Sequence, residues 1–180
     1  MLRRIFAGAS CILLLWSAGC ARDASDDASG QAAASGVEAF FRYGMVPLGP
    51  SRAEFRAQLG APVRVAARAR PNLHDASATD TVVTLYYPEL EADILRSGFD
   101  GRELLAGLRI ASDRYLLPES PLRLDAPLDE LLLILGPADA TEDGDLVYRC
   151  TTCSFGGNDE LRLEIDGDAL RTIVVHYWIE

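Results

Sequence analysis

The chain has 180 residues, with 17 arginines, no lysine and 27 acidic residues, for a net charge of −10 at neutral pH. That acidic balance argues against a nucleic-acid binder and against direct contact with anionic lipid, but it leaves a basic protein partner open. A metal site would need more than the two histidines, His74 and His176, can supply.

Arg3 and Arg4 open the chain with positive charge, and Ile5 to Trp16 form an apolar run of 12 residues. A bilayer core of ~30 Å needs about 20 apolar residues, so this run is too short to span it. Ser17-Ala18-Gly19-Cys20 follows. This start resembles a bacterial lipoprotein signal peptide. The resemblance implies cleavage after residue 19, with Cys20 becoming the first residue and carrying a thioether diacylglycerol and an N-acyl chain. With Ala21 next rather than aspartate, it also implies release to the outer membrane, facing the periplasm. The alternative is a plain secretory peptide cleaved near Ala18 or Gly19, or an uncleaved anchor. Loss of residues 1–19 leaves 161 residues and a mature charge of −12, 15 arginines against 27 acids. That length supports one sizeable domain or two small ones.

Residues 20–36 contain no large apolar side chain and are expected to form a flexible tether. Random-coil scaling gives it a span of roughly 20–25 Å. Val37 to Met45 is apolar and aromatic, and is expected to be a short helix or strand. Ser51-Arg52-Ala53-Glu54 has the pattern of a capping box, which predicts a helix that Gly60 and Pro62 end. At an offset of 76 residues, Pro127 opens a second helix and Gly136-Pro137 ends it. Leu128, Leu131, Leu132 and Leu135 share one face, and Leu133 and Ile134 make the helix apolar nearly all round. It should therefore be buried on more than one side.

Strand-like runs follow each helix. They are Thr81–Tyr87, Leu90–Leu95 and Leu104–Ala111, then Leu146–Cys150, Glu160–Ile165 and Ala169–Ile179. Asp100-Gly101, Asp143-Gly144 and Asp166-Gly167 are hairpin-turn candidates. The Val63–Asp80 segment, with Arg64, Arg68, Arg70 and Pro71, is expected to be an exposed irregular strand or a loop. The chain thus reads as α+β, with two helix-plus-antiparallel-three-strand units over residues 37–117 and 118–180. They would form a continuous sheet with helices on one face.

Gly49, Ser51, Glu54, Phe55, Leu59, Gly60 and Pro62, then Leu131, Leu135, Gly136 and Pro137, carry a helix–Leu-Gly-x-Pro–meander plan. That plan resembles the repeat of the β-lactamase-inhibitor-protein-like superfamily, which includes outer-membrane lipoproteins of the SmpA/OmlA (BamE) type. The second unit also resembles immunity proteins that pair with secreted toxins. The resemblance implies a protein-binding role rather than an enzyme.

Four groups of residues are candidates for function. Cys20 is the lipid-anchor candidate. Cys150 and Cys153 are three apart, and a strand would hold them ~10 Å apart, so a bridge requires a tight turn at Thr151-Thr152. A structural disulfide, free or partner-linked thiols, and redox catalysis all remain open, although no helix follows to activate a thiol. In the last strand Ile173, Val175, Tyr177 and Ile179 can fill a core while Val174, His176 and Trp178 point the other way. Tyr148, and Tyr86 or Tyr87, can join the His176 and Trp178 face. Those aromatics are binding anchors if the face is open, and core if a second layer covers it. Asp143, Asp145, Asp159 and Glu160 are candidates for steering a partner electrostatically. No cofactor is expected. The function read here is an inhibitor or immunity protein that neutralises a secreted toxic enzyme, with an envelope-assembly accessory as the alternative.

Overall fold

In the computed structural model of the protein, residues 36–153 and 157–179 are described. The expected signal peptide, Cys20 and the expected tether up to residue 35 lie outside the described residues. Helix α1 covers residues 36–43. Helix α2 is Arg52–Leu59 and helix α3 is Leu128–Leu135. The strands are β1 (Arg64–Pro71), β2 (Thr79–Tyr87), β3 (Leu90–Arg96), β4 (Glu103–Ile110), β5 (Ala140–Glu142), β6 (Asp145–Cys150), β7 (Asp159–Asp166) and β8 (Ala169–His176). A short 3-10 turn, Asp113–Tyr115, links the halves.

All eight strands form one antiparallel sheet in the order β1-β2-β3-β4-β8-β7-β6-β5. This corrects the expected pair of helix-plus-three-strand units. Two strands lie outside the six expected in those units: β1, in the segment where an exposed irregular strand or a loop was expected, and β5. β1 is an edge strand exposed on most of its length, so it shows no apolar alternation. β5 has three residues, too few to show any period. The junction runs between β4 and β8, where Leu108 faces Val175 and Ile110 faces Ile173.

Side-chain parity explains the single core. Val83 and Leu85, Ala92 and Ile94, Leu108 and Ile110, Ile173 and Val175, Leu161 and Leu163, and Leu146 and Tyr148 all alternate onto one face and are buried. Phe40 of α1, Phe55 of α2, and Leu131 and Leu135 of α3 press on that face in one cluster. Each fully buried side chain of this size contributes about 1.5–3 kcal/mol relative to exposure. The α2 capping box forms as its residues dictate: the Ser51 amide donates to Glu54 Oε2 at 3.0 Å, and the Glu54 amide donates to Ser51 Oγ at 3.3 Å. Helix α3 departs from expectation. Leu131 and Leu135 are buried, but Leu133 is 85% exposed, because nothing described covers the outer side of the helix layer.

Among the described residues no helix lies on the other sheet face, which is charged. Arg109 grips Glu164 with two hydrogen bonds, the longer 2.6 Å. Arg162 pairs with Glu142 and lies 3.6 Å from Glu160. The Arg64 guanidinium lies 3.4 Å from the centre of the Tyr86 ring.

Candidate functional site

Three walls that are distant in sequence enclose an apolar groove of about 630 Å³. The first wall is the connection from α1 to α2. Gly44 ends α1, donating to the Phe40 carbonyl at 2.7 Å. The chain then runs extended: Met45 bridges to Leu116, and the Val46 amide donates to the Tyr115 carbonyl at 3.0 Å. Pro47, Leu48, Gly49 and Pro50 complete the wall. Gly49 has φ of +81°, and a Cβ there would lie 2.7 Å from Glu54 Cδ, so only glycine lets the loop close on the capping box.

The second wall is β4. The β3–β4 register shifts between Asp93 and Ile94, leaving Ala106 without a partner in β3. Leu105 and Leu108 on either side of this bulge both reach the groove.

The third wall is the segment after β8. Its path is held by two backbone amides: Tyr177 donates to the Ala106 carbonyl at 3.0 Å, and Trp178 donates to Asp159 Oδ1 at 2.9 Å. The Tyr177 ring meets Phe41 of α1 edge-on, with centroids 6.0 Å apart. Burial, reinforced by the Asp159 charge, pushes the Tyr177 hydroxyl up to about 12. Trp178 lies on the rim and is 49% exposed. Close in sequence to the lining residues Pro50 and Leu104, Arg52 pairs with Glu103, its amide donating to Glu103 Oε2 at 3.0 Å. Burial pushes the Glu103 carboxyl up, but the hydrogen bonds from Arg52 outweigh it and hold the group below its ordinary value.

This lining offers hydrocarbon and aromatic surface, with Tyr177 its one titratable side chain among the described residues. Its volume falls within the range of ligand pockets. It suits an apolar anchor, and a half-exposed tryptophan at its rim is the kind of side chain that dominates binding energy.

The sequence-predicted site residues scatter around this groove. Trp178 lines it, from the segment just past the end of the central strand β8 rather than from the sheet's open face. His176 stands on the open face, paired in register with Gly107 and Glu160. Tyr148 does not join them. It sits opposite Leu161 on the core face, 2% exposed, and its hydroxyl donates to the Gly136 carbonyl at 3.1 Å. Burial, with the Asp139 charge behind it, pushes that hydroxyl up to about 12. Tyr87 is likewise a core residue.

The four acids do not form one patch. Asp143 is exposed at the β5–β6 turn with φ of +53°, and Asp145 accepts from the Ile165 amide at 3.2 Å. Asp159 and Glu160 lie at the far end of the β6–β7 pair, opposite Cys150 and Arg149. Asp159 is fully buried under the Trp178 amide, so it positions the groove's rim rather than steering a partner. Cys150 and Cys153 form a disulfide with Cα atoms 5.5 Å apart, closing the tight turn that the spacing demanded.

Sequence reasoning missed the first two walls. The one signal was Met45-Val46-Pro47-Leu48, an apolar run broken by proline and too short for a core element. Among family models, characterised proteins and solved structures, none matches the chain.

Proposed function

We propose that the protein is a lipid-anchored, periplasm-facing binding module that seats an apolar anchor of a protein partner in the groove beside Trp178. In its most concrete form it is an inhibitor or immunity protein that neutralises a secreted toxic enzyme. The observation that carries the reading is a half-exposed tryptophan on the rim of an apolar groove of about 630 Å³. The net charge of −10 supports attraction of a basic partner from a distance. The anchor on Cys20 and the outer-membrane location rest on the character of residues 3–20. No cofactor and no nucleic acid enter this reading.

The test is affinity capture from envelope and secreted fractions with the full-length chain and with Trp178→Ala. The expected result is one secreted enzyme, retained by the native chain and inhibited at equal stoichiometry. Its affinity should fall by at least about 2 kcal/mol, near 30-fold, in the variant. Unchanged affinity in a variant with native near-UV circular dichroism would remove the groove from the site. Envelope-assembly components retained in place of an enzyme would support the accessory role of the SmpA/OmlA (BamE-type) lipoproteins instead.

A further inference from the structure

The two edges of the sheet are unlike. β5 offers three residues, a length too short to template another strand. β1 offers eight, and no described strand lies beyond it.

The hydrogen-bond phase along β1 shows which backbone groups face outward. The Asn72 amide donates to the Ala78 carbonyl at 3.2 Å, making that a bonded pair. In an antiparallel ladder bonded pairs alternate, so Arg70–Asp80, Arg68–Val82 and Ala66–Thr84 are bonded and the pairs between them are not. The N–H and C=O groups of Val65, Ala67 and Ala69 therefore point away from β2.

The side chains beside those groups leave room for close approach. Ala67 and Ala69 are small and exposed, and Val65 is 47% exposed. Val63 and Leu73, just outside the strand, are 73% and 70% exposed. On the opposite face of the same strand stand Arg64, Arg68 and Arg70. Arg64 lies over Tyr86 and Arg70 Nε is 3.8 Å from Asp80 Oδ2. Arg68, between them, has no acid within ion-pair distance among the described residues. In a chain of net charge −10, this strand is locally basic.

We propose that β1 is a docking edge for an extended acidic segment of a partner protein, which adds to the sheet as a ninth strand. Main-chain hydrogen bonds to Val65, Ala67 and Ala69 supply the pairing. Acidic side chains at alternate positions face the arginines, and apolar ones lie beside Val65 and the alanines. A second copy of this chain fits poorly, because antiparallel pairing of two β1 strands would set like charges on one face. This inference needs neither the groove nor the lipid anchor.

The probe is a fluorescein-labelled Glu-Val repeat of eight residues, the length of β1. Its anisotropy would be read against the full-length chain in detergent, beside a Lys-Val repeat. The Glu-Val peptide should bind saturably and weaken as salt rises, and the Lys-Val peptide should not bind. Ala67→Pro removes an outward N–H while keeping the inner ladder, and should weaken binding about tenfold. Arg68→Glu, which leaves the backbone intact, should do the same. Equal binding of both peptides, or undiminished binding to both variants, would overturn the proposal. So would a failure of the Glu-Val peptide to bind, or a dimer in sedimentation that Ala67→Pro dissolves.

Discussion

Gly49→Ala tests how the groove's first wall is tied to the fold. The cost has two parts. A residue with a Cβ at φ of +81° is strained by about 1–2 kcal/mol. The new Cβ would also fall 2.8 Å from Glu54 Cβ and 2.9 Å from Glu54 Oε2. Glu54 cannot swing away freely, because Oε2 holds the Ser51 hydroxyl at 2.6 Å and the Ser51 amide at 3.0 Å. Relieving the clash breaks the capping box, which adds about 1 kcal/mol. Gly101→Ala is the control, since φ there is +71° and nothing lies within 4 Å of the added Cβ. It should show the strain alone. Urea denaturation followed by circular dichroism should place Gly49→Ala below Gly101→Ala by about 1 kcal/mol, or roughly 2–4 °C in Tm for a chain of this size. Equal costs for the two variants would refute the coupling of the groove loop to the α2 cap.

Alkaline titration followed at 295 nm should separate the tyrosines. Tyr148 and Tyr177, each pushed up to about 12, should ionise only as the pH approaches that value. Their folded-state values lie above the ordinary 10, so their contribution to stability is intact below pH 10 and is lost as pH rises toward about 12. A single transition near pH 10 with native circular dichroism would contradict their burial. Replacing both Cys150 and Cys153 by alanine should cost only about 2 kcal/mol, because the bridge closes a very short loop. A loss of fold in that variant would show that the bridge does more than close the turn after β6.

Local chemistry was legible in the sequence. The Ser51–Glu54 box, the helix ends at Leu59-Gly60-Ala61-Pro62 and Leu135-Gly136-Pro137, and the alternation of Leu161, Leu163 and Ile165 each act over a few residues. Register was not. Tyr148 and Trp178 looked alike as aromatics near a strand, yet the Tyr148–Leu161–Val175 alignment puts Tyr148 in the core. A slip of one residue would have reversed that assignment, and no single strand encodes it. β1 was obscured because an edge strand exposed on both faces has no apolar period. The groove was hidden for a further reason. Its walls come from residues 41–50, the β4 bulge and residues 177–179, and only the finished sheet brings these together. Trp178 could be singled out as an anchor, but the surfaces around it could not be named.

The groove and the β1 edge are continuous on the folded surface. A shallow hollow of about 170 Å³ runs between Arg70 and Asn72 on one side and Leu104 and Ile179 on the other. Leu104 and Ile179 also line the groove, so the two cavities share a wall. The floor of the hollow is firmly built. Asp80, 2% exposed, accepts from the Gly98 amide at 3.0 Å and from Asn72 Nδ2 at 2.8 Å. Those hydrogen bonds, from Gly98 first, hold its carboxyl below the ordinary value. Under the two proposals, a partner chain passing the C-terminal end of β1 would cross this hollow to reach the groove at Leu104 and Ile179. An acidic strand on β1 and an apolar anchor in the groove would then belong to one ligand, with each raising the effective concentration of the other. If both proposals hold, the arginines of β1 would select an acidic segment within an otherwise basic partner, and the groove would supply the apolar contact that holds it.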